Sequence, residues 1–377
     1  MKMNKNSYLK SKLIVQKNRI TFFSLKIKYF FKNLIFFCLL IAFIINKIKK
    51  KNIGVVGLKH HNNIGNNLVK FSMSIKLKEF GFNPIIIGFS SQDDIYFLKK
   101  YVNLKEIKQF LELKKKDYDI LMVNSDQTWN GDEENRIDEL LNVGYLKFAE
   151  NWTIPRFVYG ASLGDNYWKF SKKFEMIAKQ LLKKFSGVSV REEGAIEIIK
   201  KHLGINPEFV LDPTFIIDKI YYLDLIKDFK PDLNYNNNYL CIYQLDKNIE
   251  IEKLIRHASQ LFNYTTYIID LNKQKYIENF IFCINNSNAV ITDSFHGTIF
   301  SLIFKKPFIA YLNIGRGSGR FISLIKIFNL SKRIIYPKKF KKVDINLLRQ
   351  PLNINQSLLN YLKNKSINYL KKNLNIK

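Results

Sequence analysis

The sequence predicts an α/β protein of two Rossmann-like doubly wound domains facing a cleft, behind a basic and apolar N-terminal extension. Three observations lead there. From residue 53 onward, short apolar runs of strand length alternate with helical stretches. A polar, proline-bearing segment, residues 230–238 (KPDLNYNNN), interrupts the alternation, and a second series follows it. The length of 377 residues accommodates two ordinary domains and a tail, with 47% apolar residues to fill their cores.

In the first series, residues 53–58 (IGVVGL) read as a buried strand. Polar residues 60–67 read as the loop after it, and a helix runs to Glu79, where Gly81 ends it. Further strands are expected at 84–88, 119–124, 156–159, 185–190 and 208–211, with a helix over 192–203. In the second series the expected strands are 239–244, 265–270, 289–292 and 307–311. Helices are expected at 249–262, near 275–285, at 294–304 and, closing the chain, at 353–373. The resulting boundaries are 1–52 for the extension, 53–215 for the first domain, 216–238 for a linker, 239–330 for the second domain and 331–377 for a basic tail with its closing helix.

The formal charge of +29 suggests nucleic acid or an anionic membrane, but its distribution argues against a nucleic-acid reading. Residues 1–52 hold 13 Lys and Arg and no acid, and residues 326–377 hold 13 with one acid, Asp344. That leaves 35 of the 61 bases and 31 of the 32 acids for the body, which is nearly balanced. Lys, Asn and Ile are abundant together, a composition that codon bias produces by itself. Cys38, Cys241 and Cys283 lack metal-ligand or Cys-x-x-Cys spacing, so they suit a reducing cytoplasm, and Cys241 and Cys283 read as small buried hydrophobes.

Residues 34–45 (LIFFCLLIAFII) are a 12-residue apolar run between Lys32 and a Lys cluster at 47–51. A spanning helix needs about 20 apolar residues. Basic flanks on both sides suit attachment to the inner face of the cell membrane. Whether residues 29–46 span, lie on or avoid the bilayer stays open, and a helix packed on the body is the competing expectation.

The most informative segment is 289–307, AVITDSFHGTIFSLIFKKP. A buried strand gives way to a helix that Asp293 or Ser294 caps, with His296 and Gly297 in its first turn. An imidazole beside free backbone N–H groups at the positive end of a helix suits a phosphate or carboxylate, and Gly297 permits close approach of a ligand.

The string DSFHGTIFSLIFKKPF closely resembles the most characteristic motif of the polysaccharide pyruvyl transferase family, and other segments resemble that family in the same order. They are NSDQTWN at 124–130, with Asn124 where the family has Gly, YGASLG at 159–164, SVREEG at 189–194, LDPTF at 211–215 and GSGRFISLIKIFNL at 317–330. The loop NNIGNNL, with Asn63, is a looser match, and residues 1–52 have no counterpart. The resemblance implies phosphoenolpyruvate as donor and a sugar diol, on a polysaccharide or its lipid-linked precursor, as acceptor. Such chemistry needs an acid, a base for the hydroxyls, and cations for a phosphate and a carboxylate. His296 and Asp126 are the candidate catalytic residues. Arg191 and Arg320 are the candidate anion clamps, with Arg316 as a weaker duplicate of Arg320. Ser294, Gly297 and Asn63 complete the expected binding set, with Trp129 for a sugar face, although a core role for its ring is as natural. Asp212, before Pro213, reads as a turn residue. No metal or cofactor is expected. The competing readings are a nucleotide-sugar glycosyltransferase of the same GT-B-like architecture and a noncatalytic membrane-bound assembly protein.

Overall fold

The computed structural model describes residues 50–58, 63–89, 95–131, 137–231, 238–273, 275–337 and 343–376. The N-terminal extension with its apolar run at 34–45 lies outside them, and residues 51–377 form one compact unit. Among the described residues, no helix is long and apolar enough to cross a membrane.

The first domain runs β1 (Asn52–Val56), α1 (Ile64–Glu79), β2 (Asn83–Phe89), α2 (Ile95–Tyr101), β3 (Leu104–Ile107), β4 (Ile120–Val123), α3 (Ile137–Tyr145), β5 (Arg156–Ala161), α4 (Lys172–Leu182), β6 (Gly187–Val190), α5 (Gly194–Leu203) and β7 (Glu208–Phe209). Its seven strands are parallel in the order β3-β2-β1-β4-β5-β6-β7. Two short helices, α6 (Pro213–Ile216) and α7 (Ile220–Leu225), lead away from it. The second domain runs β8 (Tyr239–Tyr243), α8 (Ile249–Phe262), β9 (Thr265–Ile268), α9 (Tyr276–Asn286), β10 (Ala289–Thr292), α10 (Phe295–Ile303), β11 (Phe308–Tyr311), α11 (Gly319–Phe328) and β12 (Ile334–Ile335). Its parallel order is β12-β11-β10-β8-β9. Both sheets are doubly wound, as the sequence predicts, with strand order reversing between β1 and β4 and between β8 and β10. Crevices open at such reversals, at the carboxyl ends of the strands.

Several elements differ from expectation. α1 begins at Ile64, not after residue 67, because Asn63 caps it: its Oδ1 accepts the Asn66 N–H at 2.9 Å. Ile64 and Leu68, one turn apart, are both fully buried, so the polar string carries an apolar helical face. The sequence reading missed β3, whose LKEI is a short, partly exposed edge strand without an apolar run. It also missed α2, α3, α4 and α11.

A continuous core joins the two sheets. Phe71 of α1 packs on Tyr222, Tyr222 on Phe300 and Phe300 on Phe280, with ring centroids 6.2, 4.9 and 5.3 Å apart. The second sheet continues past residue 330 into β12, after which the chain crosses back to the first domain. There α12 (Gln356–Asn373) lies against β5 and β6, and the Tyr369 hydroxyl donates to the Val158 carbonyl at 2.6 Å. Cys241 and Cys283 are both buried, and the Cys283 thiol donates to Asn279 Oδ1 at 3.3 Å.

Candidate functional site

Each sheet places its polar residues beyond the carboxyl ends of its strands, Asp126 and His296 at the strand-order reversals themselves. In the first domain, Asp126 follows β4 and accepts from Asn66 Nδ2 at 2.7 Å. Arg191 leaves the end of β6 and donates to Asp126 Oδ1 at 3.1 Å and to Asp212 Oδ2 at 2.6 Å. Asp212 also caps α6, its Oδ1 accepting from the Thr214 N–H at 3.1 Å and from its hydroxyl at 2.7 Å. Burial pulls Arg191 down, yet Asp212, Asp126 and Glu192 outweigh it and hold the guanidinium above its usual value. Burial likewise pushes the Asp212 carboxyl up, and His296, Arg191 and Thr214 bring it well below the usual carboxylate range. Both residues are therefore charged. Glu192 goes the other way: burial raises it, against Arg191 and a 2.6 Å hydrogen bond from the Leu163 N–H.

In the second domain, Ser294 caps α10, accepting from the Gly297 N–H at 3.3 Å. His296 sits in the first turn with its Nε2 3.6 Å from Asp212 Oδ2. Among the described residues that nitrogen has no hydrogen-bond partner. Gly65 of α1 backs the imidazole so closely that a Cβ there would overlap the ring. Asp293 accepts the Leu245 and Asp246 N–H groups at 2.7 and 3.0 Å, and burial raises its carboxyl.

Arg320, in the first turn of α11, lies 5.0 Å from the Phe295 ring centroid and donates to the Arg316 carbonyl at 2.9 Å. Asp126 stands 4.0 Å away, and among the described residues the Arg320 Nε is unpartnered. Burial, then repulsion from Arg191, lowers Arg320 to about 10, so it keeps its charge at neutral pH.

These residues line a cleft of about 440 Å³, whose walls include Asn63, Asp126, Tyr243, Ser294, His296 and Arg320. The N-termini of α1, α10 and α11 meet there, and their backbone dipoles favour an anion.

The cleft thus collects Asn63, Asp126, Ser294, His296 and Arg320 of the expected set. Three residues are placed otherwise. Arg191, expected to clamp an anion, has a side chain with 0% exposure that is taken up by two carboxylates. Trp129, expected at a sugar face, is 1% exposed, stacks on Tyr145 at 5.0 Å and donates its indole N–H to the Gly144 carbonyl at 2.9 Å. Gly297, expected to admit a ligand, instead packs against Thr292, which a Cβ would strike. Arg316 also lines the cleft, at its exposed edge, where both Asp246 oxygens hold it, each at 2.7 Å. The sequence reading missed the pairing of Asp212, because an Asp before Pro signals a cap equally well. It also passed over Gly65, whose signal was its place in the NNIGNNL string. Among the described residues, no group of three His, Cys, Asp or Glu side chains is placed to hold a metal ion.

The arrangement offers a proton carrier, a fixed carboxylate and a charged guanidinium around one anion-favouring cavity. Comparison with known proteins fits that chemistry. The family model described as polysaccharide pyruvyl transferase matches residues 63–314. No curated protein matches the chain. Among solved structures, the S. aureus MnaA–UDP co-structure aligns over 87% of this chain and 98% of its own, with TM-score 0.53 and 13% identity. UDP-GlcNAc 2-epimerase from Methanocaldococcus jannaschii aligns over 85% of this chain and 99% of its own, with TM-score 0.53 and 14% identity. At such identities the likeness is one of fold, the two-domain GT-B type.

Proposed function

The chain belongs to the polysaccharide pyruvyl transferase family, and on that premise we propose that it moves the pyruvyl group of phosphoenolpyruvate onto two hydroxyls of a glycan sugar, forming a cyclic ketal. The observation that carries the donor assignment is Arg320, a largely buried guanidinium that stands 4.0 Å from the Asp126 carboxylate without a hydrogen bond to it, beside His296 at a capped helix N-terminus. A molecule bearing both a phosphate and a carboxylate matches that cavity.

The chemistry then follows from the residues. His296 gives a proton to the donor's methylene carbon, which becomes a methyl group. The central carbon turns electrophilic, and a sugar hydroxyl adds there as Asp126 takes its proton. A second hydroxyl attacks the same carbon, the carbon–oxygen bond to phosphate breaks, and inorganic phosphate leaves with the second proton. Arg320 and the helix N-termini stabilise the leaving phosphate, and Asp212 steadies the imidazolium from 3.6 Å. The Asn66 and Arg191 contacts hold Asp126 in one orientation.

Incubating the full chain with phosphoenolpyruvate and sugar acceptors tests this. Phosphate release that depends on acceptor, with a new ketal methyl group on the glycan, is the expected result. Consumption of a nucleotide sugar with phosphoenolpyruvate untouched would replace this reading by the glycosyltransferase one. The basic, apolar sequence of residues 1–52 supports an acceptor presented at the inner face of the cell membrane. A chain lacking those residues is expected to stay folded and to stop sedimenting with anionic vesicles. Equal sedimentation of both chains would remove the membrane from the proposal.

A further inference from the structure

α11 carries Arg320, yet nothing on its own chain segment caps it: the Ser318 side chain makes no capping hydrogen bond. The cap comes from the other domain. Asp165 Oδ1 accepts the Ser318 N–H at 3.2 Å and its hydroxyl at 3.4 Å. The next amide, Gly319 N–H, donates to the Gly164 carbonyl at 2.9 Å. Two residues before Ser318, the Arg316 carbonyl that receives Arg320 also receives Gln127 Nε2 at 2.9 Å. The approach is close enough to require glycine. A Cβ at Gly317, where φ is +88°, would lie 2.9 Å from the Gly164 carbonyl oxygen, and one at Gly319 would lie 3.2 Å from it. Asp165 is itself held: Lys169 Nζ reaches its Oδ2 at 2.6 Å, with the two side chains 9% and 15% exposed.

From this geometry we propose that Asp165 is a positioning residue for donor binding, capping α11 across the domain interface so that Arg320 points into the cleft. It touches neither substrate; it acts through the helix whose first turn bears the guanidinium. The proposal rests on the reading of Arg320 as the donor's anion site. Asp165 also makes the donor site depend on contact between the domains, since cap and guanidinium belong to different halves of the molecule.

The test compares the full chain with Asp165→Ala and Asp165→Asn. Loss of a cap typically weakens a helix terminus enough to change an equilibrium about fivefold. Asp165→Ala is expected to raise the KM for phosphoenolpyruvate about fivefold or more and to leave kcat within about twofold, by that same measure. Asp165→Asn, which keeps an acceptor oxygen, is expected to restore most of the affinity. Amide hydrogen exchange across 318–322 is measured on the same proteins and is expected to quicken in Asp165→Ala alone. Unchanged exchange overturns the cap. Faster exchange with an unchanged KM overturns the positioning role. If the wild-type chain does not consume phosphoenolpyruvate, the functional reading fails separately. Calorimetric binding of inorganic phosphate to wild type and Asp165→Ala then decides the proposal, equal affinities overturning it.

Discussion

The two walls of the cleft are built on opposite plans. In the first domain Arg191 bridges Asp126 and Asp212 at 3.1 and 2.6 Å, in a chain of charges whose side chains are at most 7% exposed. In the second domain His296 and Arg320 line the cavity, and the carboxylates opposite them, Asp212 and Asp126, stand off at 3.6 and 4.0 Å. A charge spent on a neighbour organises a site, and a charge left over is available to a ligand. Arg191 and Arg320 are therefore different instruments, although each forms a cation–π contact with Phe295, at 5.3 and 5.0 Å.

Substitutions sharpen that contrast. The largest effect is expected at His296, where alanine should slow turnover by about 10²–10⁴-fold, the range of a single acid–base group, with a smaller change in donor KM. Steady-state rates with phosphoenolpyruvate measure it, and near-normal turnover would move the proton to another residue, Asp126 first. Next come the two arginines. Arg191→Met strands two buried carboxylates and should cost about 3–5 kcal/mol of stability in chemical denaturation. Arg320→Met should be nearly neutral in that assay, yet weaken donor binding by about tenfold or more through a lost charge-assisted hydrogen bond. If both variants behave alike, the distinction between the walls is wrong. The smallest effect concerns pH. The Asp212 carboxyl is depressed in the folded protein, so the stability it supplies is complete above the pKa of an unfolded aspartate, about 4. It is lost as pH falls through the lower folded value. The difference in Tm between wild type and Asp212→Asn should therefore be full near neutrality and shrink as pH falls below about 4. A gap that does not change with pH would mean that the carboxylate's charge is not what stabilises the site.

The fold was legible wherever an apolar run was buried on both faces. β1, β4, β5, β8 and β10 declare themselves because interior parallel strands are apolar along nearly their whole length. β3 was hidden, since an edge strand of Leu, Lys, Glu and Ile takes its conformation from its neighbour and not from its composition. α4 was a different case: Phe174, Ala178, Leu181 and Leu182 fall on one helical face behind the Ser171 cap, a signal present in the string and passed over. At the site, His296 and Ser294 were readable because strand, cap and helix follow one another locally. The pairing of Arg191 with Asp126 and Asp212 spans 65 and 21 residues, and no local pattern announces which charges will be spent on each other. Trp129 shows the same gap from the other side, since an indole for a sugar and an indole for a core are the same residue until the neighbouring Tyr145 is placed.

The return of the chain to the first domain has a consequence for biosynthesis. When a ribosome has made the first 350 residues, both sheets exist in full, but the helix that covers Phe157 and Tyr159 does not. Tyr369 packs against those two rings at 6.4 and 6.1 Å, and Ser366 accepts the Leu211 N–H at 2.8 Å. The domain translated first is thus the domain completed last. Its β5–β6 face stays open while the second domain folds, and it closes only when the final helix clears the exit tunnel. A nascent chain stalled near residue 350 should therefore expose that face to a chaperone or a protease, whereas one released after residue 376 should not.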